Sequence, residues 1–136
     1  MRWSQSGQVS VFVIGTALIC FAVAGVAVDG TRAFLYRRTL QNAADAAALA
    51  GASEIDRSAY YAGRNDIVLD GGRARGTAMR WLARRGLPVE ADVAATPALV
   101  RVGLRARLET TWLGLVGIGE LPVAAQAVAE PVSGSP

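Results

Sequence analysis

The chain has 136 residues, 14 cations that are all arginine, 11 carboxylates and a formal net charge of +3. It has no histidine and one cysteine, Cys20. That removes the usual general base, the commonest metal ligand, the histidine-based nucleophile dyads, any intrachain disulfide and any paired-cysteine metal site. The charge is too small to imply nucleic acid on its own, since a binding face needs clustering, so the function classes left are anchored, structural or binding roles.

A short polar leader, MRWSQSG (residues 1–7), is followed by an apolar run from Val9 to Val28 that holds no charge and is interrupted only by Ser10, Gly15, Thr16 and Gly25. Twenty helical residues at 1.5 Å rise cross the roughly 30 Å hydrocarbon core of a bilayer. Residues 8–28 are therefore expected to form a transmembrane helix. Thr16, Cys20 and Ala24 sit four apart within it, either as a small-residue seam for a neighbouring helix or as plain lipid-facing surface. A thiol in mid-span reads as a packing residue, because apolar surroundings raise its pKa and keep it inert.

No stop signal follows the run. After Gly30 there is neither Gly nor Pro until Gly51, and Ala, Leu, Arg and Gln dominate. These are strong helix formers, so a single helix of about 65 Å is expected from Val9 to Ala52. Past the membrane exit it carries an Asp (VDGTR, Asp29), the arginine pair Arg37 and Arg38, and the string LQNAADAAALAGA at Leu40–Ala52. Arg38, Asn42 and Asp45 are spaced i, i+4, i+7 and share one helix face, among alanines small enough for close packing. Those alanines meet either a partner's helix or the chain's own sheet.

The polar leader ending in Gly, the apolar helix, the exit Asp, the arginine pair and LQNAADAAALAGA together resemble the TadE/TadG-like proteins of tight-adherence (Flp-type) pilus assembly. The resemblance covers roughly the first 52 residues. It implies a non-enzymatic subunit that associates laterally through its helix, with Asp29, Arg32, Arg38, Gln41, Asn42 and Asp45 as motif residues for assembly. Pilin-like relatives carry a Glu five residues after the processing Gly, whereas counting from Gly7 places Phe12 there. Cleavage between Gly7 and Gln8 is accordingly not expected to be efficient.

Residues 53–70 are the least regular: Ser53–Tyr61 either extends the helix or turns away, and Tyr60 and Tyr61 read as boundary packing or an interface. In GGRARGTAMRWLARRG, Arg73, Arg80 and Arg84 fall on one stripe and Ala74, Ala78, Trp81 and Leu82 on another face. The pattern predicts an amphipathic helix from Arg73 to Arg85, closed by Gly86 and Pro88, with Gly71 and Gly72 in the loop before it. Its arginines form a solvated face or a contact for polyanions or anionic lipid.

Period-two alternation then takes over. PVEADVA alternates Val89, Ala91 and Val93 against Glu90 and Asp92, and LVRVGLRARLE alternates Val100, Val102, Leu104, Ala106 and Leu108 against charges. ATPA between them predicts a hairpin with a four-residue loop at Ala95–Ala98, placing Asp92 opposite Arg101 and Val93 opposite Val100. TTWLGLVGIG reads as a short apolar helix with a Thr cap lying on the sheet, Leu121 to Glu130 as a third strand, and residues 131–136 as a disordered tail.

The fold expected is α+β: a long N-terminal transmembrane helix (8–28) extended by residues 29–52 into a small domain at 53–130, with a roughly three-stranded antiparallel sheet and one or two short helices. The carboxylates are scattered singly, so neither an enzyme nor a cofactor or metal site is expected. The function expected is a membrane-anchored accessory or minor pilin-like subunit in Tad/Flp-type pilus assembly or related secretion, with membrane lipid and other pilus-assembly or secretion subunits as partners and no nucleic acid or small-molecule substrate. The alternative is a secreted soluble binding domain whose signal peptide is cut after Ala22-Val23-Ala24. Arg32, Arg37 and Arg38 follow the span while only Arg2 precedes it, so the positive-inside rule alone puts the carboxy-terminal domain in the cytoplasm. The resemblance implies the extracytoplasmic side, and that is the expectation adopted.

Overall fold

In the computed structural model, which describes residues 6–63 and 67–131, α1 runs unbroken from Ser6 to Ala52 and passes through Gly30 without a kink residue of any kind becoming non-helical. It is followed by α2 (Arg57–Tyr61), α3 (Gly71–Arg85), β1 (Glu90–Ala95), β2 (Val100–Glu109), a 3-10 helix at Leu113–Val116 and β3 (Glu120–Ala129). The three strands form one antiparallel sheet in the order β1-β2-β3. The chain divides into two compact units: one pairs the chain up to Phe34 with Leu108–Leu121, the other joins Leu35–Arg107 to the chain from Pro122. Leader residues 1–5, Arg64, Asn65, Asp66 and tail residues 132–136 lie outside the described residues.

The second unit is built on the alanines of α1. Leu40, Ala43, Ala44, Ala47, Ala48 and Ala52 are buried at i, i+3, i+4, i+7 spacing, the periodicity of a single helix face. Against Ala43 to Ala52 lie Ala74, Ala78 and Leu82 of α3 and the inward row Val100, Val102 and Leu104 of β2, with Val93, Ala127 and Ala129 from the flanking strands. Methyl-sized side chains let three backbones approach closely, and the branched side chains of the sheet fill the space that remains. At Gly51 even a methyl is too much, since a Cβ there would lie 2.9 Å from the Ala74 carbonyl oxygen and 3.2 Å from Val100 Cγ1.

α3 begins two residues before Arg73. Asp70, in an extended conformation, accepts a hydrogen bond from the Arg73 N–H at 3.1 Å, so Gly71 and Gly72 form the first turn instead of a loop. Gly86 closes the helix in the left-handed region at φ 59°, its N–H donating to the Ala83 carbonyl. The predicted inward face of Ala74, Ala78 and Leu82 is buried as expected, while Trp81 is half-buried under the Arg85 guanidinium, 4.6 Å from the ring centre. Before α3, the chain leaves α1 through α2, and an isolated bridge joins Ile55 to Leu69.

The β1–β2 hairpin forms two residues out of the expected register. Val93 pairs with Val102, Ala95 with Val100 and Asp92 with Gly103, so the loop is Thr96–Leu99. Thr96 supplies the reason: its N–H donates to the Leu99 carbonyl at 2.9 Å and its hydroxyl accepts from the Leu99 N–H at 3.1 Å, closing the turn one residue later on each strand. A shift of two preserves which side chains face inward, and it replaces the expected Asp92–Arg101 pair with Glu90 opposite Arg105. The segment TTWLGLVGIG departs further from expectation. It forms only a four-residue 3-10 helix with no buried residue and no side-chain cap from its own N-cap residue, Trp112, and it belongs to the first unit.

The close approach at Gly51 makes a direct test of the alanine interface. Gly51→Val is expected to destabilise the protein by about 1–3 kcal/mol through overpacking. Gly30→Ala, also helical but with no atom within 4 Å of the added Cβ, should not destabilise at all. Thermal unfolding of both variants in detergent, followed by circular dichroism, separates them.

Candidate functional site

Asp29 follows the apolar run directly, and its side chain is 1% exposed, the one buried charged residue among those described. Burying a carboxylate is costly unless its oxygens are hydrogen-bonded. Here Oδ1 accepts from the Thr111 N–H at 3.1 Å, and Oδ2 accepts from the Trp112 and Leu113 N–H groups at 2.8 and 2.7 Å. The three donors open the 3-10 helix, so the cap missing from its local sequence is supplied by a residue more than eighty positions earlier. One turn along α1, Arg32 lies 3.6 Å from Asp29 Oδ1 and donates to the Thr111 hydroxyl at 2.8 Å. The Leu113 N–H first, then those of Thr111 and Trp112 and the Arg32 charge, hold the carboxyl below the ordinary aspartate range, against the opposing effect of burial.

One turn before Asp29, Gly25 is the other half of the contact. A Cβ at Gly25 would lie 2.7 Å from Trp112 Cβ, so glycine is what lets the loop close onto the helix. The motif VDGTR therefore contains a loop anchor, Asp29, which the sequence presents as a membrane-exit acid and an assembly-motif residue. Gly25, Thr111 and Trp112 were missed altogether. Two signals were available: a Gly four residues before an Asp on one helix face, and a charge-free stretch between Glu109 and Glu120.

The remaining motif residues separate. Gln41 turns inward, its amide donating to the Gln126 carbonyl of β3 at 2.9 Å and to Asp45 Oδ1 at 3.0 Å. Arg38, Asn42 and Asp45 are exposed and, with exposed Leu49, line one stripe of α1. Ala43, Ala44, Ala47 and Ala48 are spent on the chain's own core, while Ala46 and Ala50 are half-buried. Thr16, Cys20 and Ala24 are exposed on α1, as are Gly7 and Gln8 near its start.

Elsewhere, an open cleft between α1 and the sheet is lined by Arg37, Gln41, Glu90, Asp92, Arg101 and Arg105. Its charges are of mixed sign, as facing strands with Glu90 opposite Arg105 require. Among the described residues no three acidic or cysteine side chains gather where they could hold a metal ion.

Replacing Asp29 tests its anchoring role. Asp29→Asn removes the charge and one acceptor, and amide exchange at Thr111, Trp112 and Leu113 is expected to quicken on the order of tenfold, the scale of one charge-assisted hydrogen bond. Because the folded pKa is lowered, the native contact is fully present above the ordinary aspartate value of about 3.9 and is lost as pH falls through the lower folded value. Exchange at these amides in the native chain should therefore stay slow down to about pH 4 and quicken below it.

Residues 7–54 match the Tad family model, described as "Putative Flp pilus-assembly TadE/G-like". No curated protein and no solved structure matches the chain. The matched stretch begins and ends within two residues of α1 and includes Asp29, Arg32, Arg38, Gln41, Asn42 and Asp45. The helix on which the domain is built is thus the part of the chain that is similar to TadE/G-like proteins of Flp pilus assembly.

Proposed function

We propose that this protein is a non-enzymatic, single-pass membrane subunit that acts as an accessory or minor pilin-like component of Tad/Flp-type pilus assembly or a related secretion machine. The observation that carries the reading is the coincidence of the TadE/G-like match with α1, a helix long and apolar enough to cross a bilayer. Its apolar residues from Val9 to Val28 point outward, with Phe12, Leu18, Ile19 and Val23 among the exposed ones. A helix that is hydrophobic all round and uncovered by its own protein needs lipid or other helices around it.

The carboxy-terminal domain lies outside the cytoplasm in this reading, on the strength of the family resemblance and against the arginine count. Residues 1–7 stay attached, because Phe12 stands where pilin-like relatives carry Glu. Other pilus subunits are the partners. The stripe Arg38, Asn42, Asp45 and Leu49 supports a lateral contact, since it offers a cation, an amide, a carboxylate and an apolar side chain on a face that the chain's own sheet leaves open.

The topology and the anchor are tested together on a chain fused after Pro136 to a phosphatase active only outside the cytoplasm. Activity is expected, with residues 1–7 present in the intact mass of the membrane-extracted chain. Activity of a cytoplasmic reporter alone would reverse the topology, a mature terminus at Gln8 would show processing, and loss of the first 24 residues would replace the anchor by a signal peptide.

The assembly face is tested by changing Asn42 and Asp45 together to Ala. Both are exposed, so expression and membrane insertion should be retained, while co-purification of pilus-assembly subunits in mild detergent should fall several-fold. Undiminished co-purification would remove the stripe from the assembly surface.

A further inference from the structure

The loop between β2 and β3 has no role in the function proposed above, yet it is the most apolar exposed segment outside α1. From Thr110 to Gly119 it contains no charge. Leu115 and Val116 are 79% and 73% exposed, and Ile118 and Trp112 are also exposed. Such residues clustered at a loop tip are unfavourable in water, and on a small protein they mark a binding surface.

Its position on α1 says what covers it. Trp112 packs on Gly25, which lies inside the apolar run, about 4.5 Å short of its last residue, Val28, at 1.5 Å per residue. If that run is in hydrocarbon, Trp112 stands at the depth of the membrane interface, where tryptophan is enriched. Behind it, Asp29, Arg32, Thr110 and Thr111 form a polar collar at the level where the helix itself changes from apolar to charged. Loop and helix change polarity at the same height.

Most of the loop's N–H groups also meet the condition for entering lipid, which is that they be satisfied from within. The N–H groups of Thr111, Trp112 and Leu113 are taken by Asp29. Those of Leu115, Gly117 and Ile118 are taken by the carbonyls of Trp112, Gly114 and Leu113, and that of Thr110 by Gly119. The Thr110 hydroxyl donates to the Ile118 carbonyl.

We propose that the Trp112–Ile118 loop is a second membrane element, dipping its Leu115–Val116 tip into the leaflet adjoining Asp29, so that the protein grips the bilayer at two points. The occupant of this apolar surface is the lipid acyl region. The inference rests on the reading of α1 as a membrane anchor.

The test uses the full chain with Cys20→Ala and Val116→Cys, labelled at position 116 with an environment-sensitive fluorophore and reconstituted into phosphatidylcholine and phosphatidylglycerol vesicles. A matching chain carries Leu115→Cys, and a control carries Ala98→Cys in the exposed β1–β2 turn. The expected result is retention on the vesicles through an alkaline wash, with the probe at 115 and 116 quenched by brominated lipid and several-fold less accessible to aqueous iodide than at 98, at every protein-to-lipid ratio. Retention with the probe at 115 and 116 as open to iodide as at 98 overturns the loop's insertion and leaves the anchor standing. Shielding that vanishes on dilution in lipid overturns it in favour of a second copy of the chain. Loss of the chain in the wash overturns the anchor and the insertion together.

Discussion

A carboxylate that is buried and ionised must be surrounded by donors, and Asp29 obtains them from the start of a loop that comes more than eighty residues later in the chain. The contact between helix and loop in the first unit is centred on that requirement. The loop needs a cap because its 3-10 helix begins at Trp112, which offers no side-chain acceptor. The helix needs a polar group at the end of its apolar run, and an aspartate left there unpaired would face a poor solvent on one side. One contact answers both needs. Gly25 makes it sterically possible, and Arg32 adds a second strut to Thr111 while leaving its own guanidinium half in solvent.

In the second unit the constraint is spacing instead of charge. Alanine at four adjoining positions of one helix face brings α1 within backbone range of α3, and Gly51 carries this to the limit of a carbonyl contact. A helix of this composition forms readily, since alanine loses no side-chain entropy, but it buries little apolar area per residue. The missing volume is supplied from the other side by Val100, Val102, Leu104 and Val93. The core is therefore asymmetric, smooth on the helix and branched on the sheet. Gln41 fixes one edge of that interface, with its amide bonded to the backbone of β3.

The chain's own core takes up only part of the circumference of α1. The alanines that the family motif supplies are covered by the chain's own sheet, whereas Arg38, Asn42, Asp45 and Leu49 are left outside. Any partner of this face meets a mixed polar surface, and specificity there would rest on hydrogen bonds and charge more than on apolar area.

The long helix, its apolar run, the amphipathic α3, three strands with their inward faces and the TadE/G-like segment were all legible in the amino-acid sequence, because each follows from periodicity, propensity or a local string. Gly86 and Thr96 act within a few residues of themselves, yet only Gly86 is read correctly from the sequence. Thr96 shifted the hairpin because a side-chain hydroxyl chose the turn, an event that alternation alone does not encode. What tertiary structure alone decided was the partner of each polar group: that Asp29 caps a distant loop, that Gln41 reaches β3, and that TTWLGLVGIG stands on Gly25 instead of on the sheet. Local pattern reports how a segment buries its own apolar face. A buried carboxylate or amide is satisfied by whichever donor or acceptor the folded chain brings within 3 Å or so, and that neighbour is set by the packing of every element at once.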